Sequence, residues 1–244
     1  MRITRTPRTA PTTRRTLLRA SAATAAAGVL AAGSSSVGAA PRTRSATAAR
    51  PTTPAAALKE LAAGNRRWRT LRQRHPHETA RVRGALASGQ SPFALILGCI
   101  DSRVPPELVF DQGLGDLMTV RSAGEVLDEA VLGSIAYGVL ELGIPLVVVL
   151  GHQSCGAVAA AVHAEETGES LPAHIQYVAD QIRPAIVPGQ HGEARVDATV
   201  SAQVRLVRSR LAREADLAAR VAAGELAIVG ARYELGTQLV HRVG

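Results

Sequence analysis

The chain has 244 residues, enough for one large domain or two small ones, and a formal net charge of +8. The excess positive charge is local. Residues 1–50 carry nine arginines and no acidic residue, whereas residues 51–244 carry 19 basic and 20 acidic residues. The greater part of the chain is therefore nearly neutral, and its bulk charge argues against a nucleic-acid partner.

The basic N-terminus resembles a twin-arginine export signal. Residues 13–19 (TRRTLLR) precede the alanine-rich stretch 20–32, and Val37-Gly38-Ala39 is a plausible small-residue cleavage site. We expect residues 1–39 to direct export to the periplasm or the extracellular space, with cleavage and no stable membrane insertion afterwards. A retained membrane anchor is the alternative, but polar residues and Gly28 interrupt an apolar stretch that is already short.

Residues 40–54 are rich in Pro, Thr and Ala, which predicts a flexible linker, and residues 55–244 are expected to form one domain. The domain begins with a helical arm, because Leu58, Leu61 and Trp68 can share one stripe, although Gly64 interrupts the pattern. Trp68 is interpreted as a packing anchor for this arm.

The central region predicts alternating strands and helices. Such alternation is typical of an α/β fold, here a single domain with four parallel strands plus an edge strand, flanked by helices. Strands are predicted over 93–98, 117–120, 146–150 and 225–229, with an edge strand over 233–243. Helices are predicted from Pro105, over about 125–142, over 154–163 and over 197–222.

The two cysteines of the chain each follow an apolar strand. Cys99 comes directly after the first, and His152 and Cys155 follow the third. If these strands are neighbours, two thiolates and an imidazole meet at one sheet edge and form a zinc site with room for a fourth ligand. The spacing of His152 and Cys155 predicts a turn entering a helix, with both side chains on one face. A Cys99–Cys155 disulfide is the alternative in an exported chain.

Asp101 and Arg103 follow Cys99 closely. Arg103 can hold the Asp101 carboxylate away from the metal through a bidentate pair, so that the carboxylate orients a zinc-bound water. Asp101 could instead be the fourth ligand in a closed state of the site. Because thiolates donate more charge than imidazoles, the bound water should be weakly acidic, and activity should rise toward alkaline pH.

These residues resemble the β-class carbonic anhydrases. The resemblance rests on Cys99-x-Asp101-x-Arg103 and on His152-x-x-Cys155, and it extends to Val120-Arg121-x-Ala123-Gly124 and to the arm at 64–68. It implies reversible hydration of CO2 to bicarbonate and a proton by zinc-bound hydroxide. One zinc ion per subunit would be held by Cys99, His152 and Cys155, with Asp101 and Arg103 as the catalytic dyad.

The resemblance also implies an oligomer and two further pocket residues. Members of the family form homodimers, often doubled to homotetramers. Gln90 is similar to a glutamine that reaches the substrate pocket across the dimer, and Tyr137 is similar to a tyrosine beside that pocket. Hydrolysis of carbonyl sulfide or carbon disulfide on the same zinc scaffold remains an alternative, as does a zinc-holding, bicarbonate-binding protein without catalysis.

Overall fold

The computed structural model describes residues 50–244. The predicted export signal 1–39 and residues 40–49 of the predicted linker lie outside this range. Within it, no helix combines the length and the apolar character needed to cross a membrane.

A five-stranded sheet forms the centre of the domain. Its order is β2-β1-β3-β4-β5; the first four strands are parallel, and β5 runs antiparallel to β4. This confirms the predicted α/β fold, with a mostly parallel sheet and an edge strand. The strands are β1 (Ala94–Gly98), β2 (Leu117–Arg121), β3 (Leu146–His152), β4 (Ala227–Tyr233) and β5 (Val240–Val243).

Eight α-helices flank the sheet within residues 50–244. Side-chain caps start several of them: Thr53 accepts from the backbone N–H of Ala56 at 3.3 Å, and Asp128 accepts from that of Val131 at 2.8 Å. The helices are α1 (Pro54–Arg69), α2 (Ala80–Leu86), α3 (Pro106–Val109), α4 (Glu129–Ala136), α5 (Gly156–Thr167), α6 (Ile175–Ile182), α7 (Gly192–Leu211) and α8 (Ala215–Ala222).

Each face of the sheet carries its own core. On one face Leu95 and Leu97 pack with Val204 of α7 and Ile135 of α4. On the other face Ile96 belongs to a cluster that includes residues of α1 and α3. Because β1 and β3 are buried on both faces, their sequences are continuous apolar runs, which is why they were recognisable as strands.

Three helix boundaries differ from the prediction. The helix expected from 125 begins only at Glu129, because Gly124 and Glu125 both adopt positive φ, and it ends in a π-helical turn over Tyr137–Glu141. The helix expected over 154–163 runs over Gly156–Thr167. The long helix expected over 197–222 is two helices, α7 and α8, separated at residues 212–214.

Two strand assignments also change. β4 extends to Tyr233, which pairs with His152 of β3, so Tyr233 does not belong to the edge strand. β5 is correspondingly short and begins at Val240. The arm helix forms as predicted, and Trp68 within it donates from its indole N–H to the hydroxyl of Tyr233 at 3.1 Å.

Candidate metal centre

Cys99, His152 and Cys155 come together at the carboxyl ends of two neighbouring strands. The ligand atoms of the three side chains all lie within 4.8 Å of one another, and all three residues are buried. Cys99 directly follows β1, and His152 is the last residue of β3, which pairs with β1 in parallel. The predicted juxtaposition therefore occurs for the predicted reason: adjacent parallel strands end at the same edge.

His152 and Cys155 are joined by a turn that enters a helix, as predicted, but they do not share a helix face. His152 is still part of the strand, and Cys155 is the residue that caps the N-terminus of α5. Ser154 between them adopts a φ of 53°, which reverses the chain direction within one residue. The two side chains are thus brought together by this turn and not by a shared helix face.

The two thiols share one hydrogen bond. Their Sγ atoms lie 3.9 Å apart, and both cysteines are free, so the structure does not contain the alternative disulfide. The bond to Cys155 lowers the pKa of Cys99 to about 4, with further help from His152 and from the backbone N–H of Gly124. The same bond, together with burial, raises the pKa of Cys155. One of the two thiols is therefore favoured as a thiolate.

His152 is oriented as a metal ligand. Its Nδ1 lies 2.9 Å from the backbone carbonyl oxygen of Gln153, which fixes a proton on Nδ1 and leaves the lone pair on Nε2. Among residues 50–244, this buried Nε2 has no hydrogen-bond partner. A buried ring nitrogen without a partner is costly unless a ligand takes it up, and a nitrogen beside two sulfurs suits zinc. The donor set therefore fits the predicted metal.

Asp101 lies at the rim of this cluster and is held by Arg103. The guanidinium donates from Nε to Oδ1 at 2.9 Å and from Nη2 to Oδ2 at 2.7 Å, and the Arg103 backbone N–H donates to Oδ1 at 2.9 Å. These bonds hold the pKa of Asp101 at about 2. Its Oδ2 remains 3.9 Å from His152 Nε2. The carboxylate is thus ionised and fixed beside the site that a fourth ligand would occupy.

Arg121 is a residue whose role the sequence analysis missed. It ends β2, beside Gly98 in the register of the sheet, and it donates to the backbone carbonyl oxygens of Cys99 at 2.8 Å and Asp101 at 2.7 Å. The guanidinium therefore fixes the loop that carries both the first cysteine and the carboxylate. Because its partners are backbone carbonyl oxygens, no pattern in the sequence points to this role.

Glu125 is a second missed residue. Its side chain is buried, and its Oε1 has no hydrogen-bond partner within residues 50–244. Burial raises the pKa of this carboxyl well above its usual value, and the nearby Cys99 thiolate adds to the effect. The raised pKa of this carboxyl depends on burial, so a sequence does not reveal it.

An apolar cavity of about 650 Å³ opens beside the cluster. Cys99, Ile100 and Asp101 form one wall, and small residues of α5 and the start of α6 form the others. Neither Gln90 nor Tyr137, the predicted pocket residues, lines this cavity within one chain. Gln90 lines a separate pocket with Arg50, and Tyr137 is 53% exposed on the π-helical turn.

The chain is similar to known carbonic anhydrases. Residues 94–240 match the carbonic anhydrase family model. "Carbonic anhydrase 2" of Mycobacterium tuberculosis is 46% identical over 186 residues, which cover 75% of this chain and 90% of that protein.

Solved structures show the same fold. A tetrameric β-carbonic anhydrase of Sordaria macrospora superposes with a TM-score of 0.63 at 20% identity, covering 77% of this chain and 96% of that one. A Coccomyxa β-carbonic anhydrase in complex with acetazolamide gives a TM-score of 0.62 at 24% identity, covering 76% and 86%. With its paired Cys-x-Asp-x-Arg and His-x-x-Cys motifs folded into one cluster, the chain belongs to the β-class carbonic anhydrase family.

Proposed function

We propose that this protein catalyses the zinc-dependent, reversible hydration of CO2 to bicarbonate and a proton. The observation that carries the proposal is the cluster of two thiols and one imidazole with a fixed carboxylate at its rim, in a chain 46% identical to a carbonic anhydrase. Cys99, His152 and Cys155 would hold the metal and leave a fourth position open, as catalytic zinc sites require. When bound, zinc supplies a Lewis acid that makes a hydroxide nucleophile available near neutral pH.

The residues of the chain position the reactants. Arg103 keeps Asp101 ionised, so the Asp101 carboxylate can only accept hydrogen bonds. It can therefore orient an attacking water by accepting a hydrogen bond from that water. The apolar cavity suits CO2, a small molecule without charge. Arg121 holds the backbone of the loop in the geometry that this arrangement needs.

Stopped-flow CO2 hydration on the zinc-loaded full chain tests the proposal. We expect catalysis by the wild-type protein and at least a tenfold loss of kcat/KM in Asp101→Ala, since positioned proton acceptors contribute about 10²–10⁴-fold. Asp180→Ala, which removes an exposed carboxylate on α6, is the matched control. A wild-type protein with full zinc that hydrates no CO2 but hydrolyses carbonyl sulfide would contradict the proposed substrate.

We also infer that the protein works as a homodimer or homotetramer. Ile100 and Tyr137 are each more than half exposed, and a second copy of the chain would cover these large hydrophobic side chains. A tetrameric relative of the same fold supports this inference. Light scattering of the purified protein should give two or four times the mass of one chain, and Ile100→Glu should reduce it; a monomeric wild-type protein would contradict the inference.

We infer further that the chain is exported through the twin-arginine route, on the strength of residues 13–19 and the small-residue site at 37–39. Cell fractionation of the wild type and of an Arg14→Lys, Arg15→Lys variant tests this. Export of the wild type with retention of the variant inside the cell is expected. Equal distribution of the two proteins would argue against the twin-arginine route.

A further inference from the structure

Hydration of CO2 releases a proton in every turnover, and that proton must reach a buffer outside the cavity. This inference rests on the proposed function. A group that accepts and releases protons at neutral pH is needed between the reaction site and the solvent, and histidine is the side chain suited to that task. Such a group would have to lie on the wall of the cavity beside the metal cluster.

His174 is the histidine on the wall of this cavity within the described residues. It precedes α6 and lines the same space as Cys99 and Asp101. It is also exposed, so one side of its ring is accessible to buffer molecules. Its position therefore connects the apolar interior of the cavity with the solvent.

The other ionisable groups on the cavity wall have different tasks. Cys99 belongs to the metal cluster, and both carboxylate oxygens of Asp101 are held by Arg103. No other ionisable side chain lines the cavity within the described part of the chain. His174, by contrast, makes no side-chain hydrogen bond at the helix start, so its imidazole is not used as a cap.

The remaining histidines are placed differently. None of them lines the cavity, and four face a carboxylate: His77 lies 2.6 Å from Asp116, and the others lie 3.6–3.7 Å from a glutamate. Those four are His75, His77, His163 and His241; His191 directly precedes α7 and does not line the cavity.

The backbone before His174 is held in an uncommon conformation. Ala173, also on the cavity wall, has a φ of 51°, which costs free energy in a residue other than glycine. The preceding Pro172 restricts the chain further. Together these residues set the direction in which the chain enters α6 and presents His174.

We propose that His174 is the proton-transfer residue of this enzyme. A ring nitrogen of the neutral imidazole accepts the proton that leaves the reaction site through water in the cavity, giving the imidazolium. The imidazolium then releases a proton to a buffer base at the cavity mouth and returns to the neutral form. Only N–H and O–H bonds form and break, and no electrons are transferred.

The kinetic test separates proton transfer from hydration. In zinc-loaded His174→Ala at low buffer concentration we expect kcat to fall at least tenfold while kcat/KM stays unchanged, because the proton leaves after CO2 has reacted. High concentrations of imidazole buffer should restore kcat. His163→Ala, an exposed histidine on α5 that does not line the cavity, is the matched control and should behave as the wild type.

A spectroscopic test locates the ring independently of activity. When cobalt(II) replaces zinc, the imidazole proton resonances of His174, identified by their loss in His174→Ala, should shift or broaden, and those of the exposed His75 should change less. An unaffected His174 resonance would overturn the proposal. So would His174→Ala with the kcat of the wild type at low buffer concentration, or with a loss of kcat that imidazole does not restore. A zinc-loaded wild type without any CO2 hydration would overturn the proposed function and this assignment together.

Discussion

Two glycines that precede metal ligands look alike in the sequence and differ in the fold. Gly98 precedes Cys99, and Gly151 precedes His152, each at the end of an apolar run. A Cβ atom on Gly151 would lie 2.5 Å from Val204 Cγ2 and 3.3 Å from Val200 Cγ1, whereas real Cβ atoms essentially never approach closer than 3.0 Å. A Cβ on Gly98 would meet nothing closer than 3.9 Å.

Gly151→Ala should therefore destabilise the protein. Val204 is fully buried and stiff at χ1, so β3 or α7 must move to relieve the overlap. Overpacking of this kind costs about 1–3 kcal/mol, and about 2 kcal/mol would lower the Tm by about 4–8 °C in a domain of this size. Because the shift begins next to His152, zinc affinity should fall as well.

Gly98→Ala is the matched control. Its Cβ has room, and the substitution restricts the unfolded chain, so stability should be unchanged or higher by up to about 1 kcal/mol. Urea denaturation of both zinc-loaded variants at the same excess of zinc, followed by circular dichroism, measures the difference. Equal stability of the two variants would refute the reasoning from the Gly151 overlap.

Three further predictions concern the surroundings of the metal. Arg121→Lys removes the paired bonds to the loop carbonyls and should weaken zinc binding about 10–100-fold in chelator competition, whereas Arg69→Lys should not. Arg103 lowers the pKa of Asp101 to about 2. The contribution of the ionised Asp101 carboxylate to stability is therefore complete above about pH 4 and is lost as the pH falls through 2. Arg103→Ala should raise the pKa of Asp101, as measured by NMR. Burial raises the pKa of Glu125, so the free energy of unfolding falls as the pH rises above the pKa of this carboxyl in the unfolded chain. In urea denaturation, Glu125→Gln should be more stable than the wild type at pH 8 but not at pH 4. An equal difference in stability at both pH values would contradict this.

The strands and the candidate ligands that follow them were predictable because both depend on a short-range pattern. A strand buried on both faces must be apolar throughout, and a polar ligand directly after it lies at the sheet edge. The sequence analysis left open whether β1 and β3 are neighbours, and their pairing in the structure places Cys99 beside His152. The fold class and the metal-binding residues followed from these two facts and from the family resemblance.

The break between α7 and α8 was not predictable, because residues 211–215 are all good helix formers. Leu211 and Leu217 are both buried in the same core. Six residues apart on one continuous helix, they would point about 120° apart, so the chain must break for both to face the sheet. This requirement comes from tertiary packing, and local helix propensity does not predict it.

The roles of Arg121 and His174 could not be predicted from the sequence for a related reason. Arg121 acts on backbone carbonyls, which every residue has, so no sequence pattern marks its partners. His174 is one of seven histidines, and its selection depends on a cavity formed by separate segments. Neither relation is encoded in the spacing of residues along the chain.

The burial of the three ligands has a consequence for metal exchange. Since Cys99, His152 and Cys155 are at most 4% exposed and Cys99 borders the cavity, an ion entering or leaving would follow the route that CO2 takes. A molecule lodged in the cavity would then slow the release of zinc as well as block substrate. The time for which the protein retains zinc in the presence of a chelator would then depend on whether a molecule occupies the cavity. The opening through which CO2 enters would also set the lifetime of the zinc-bound protein.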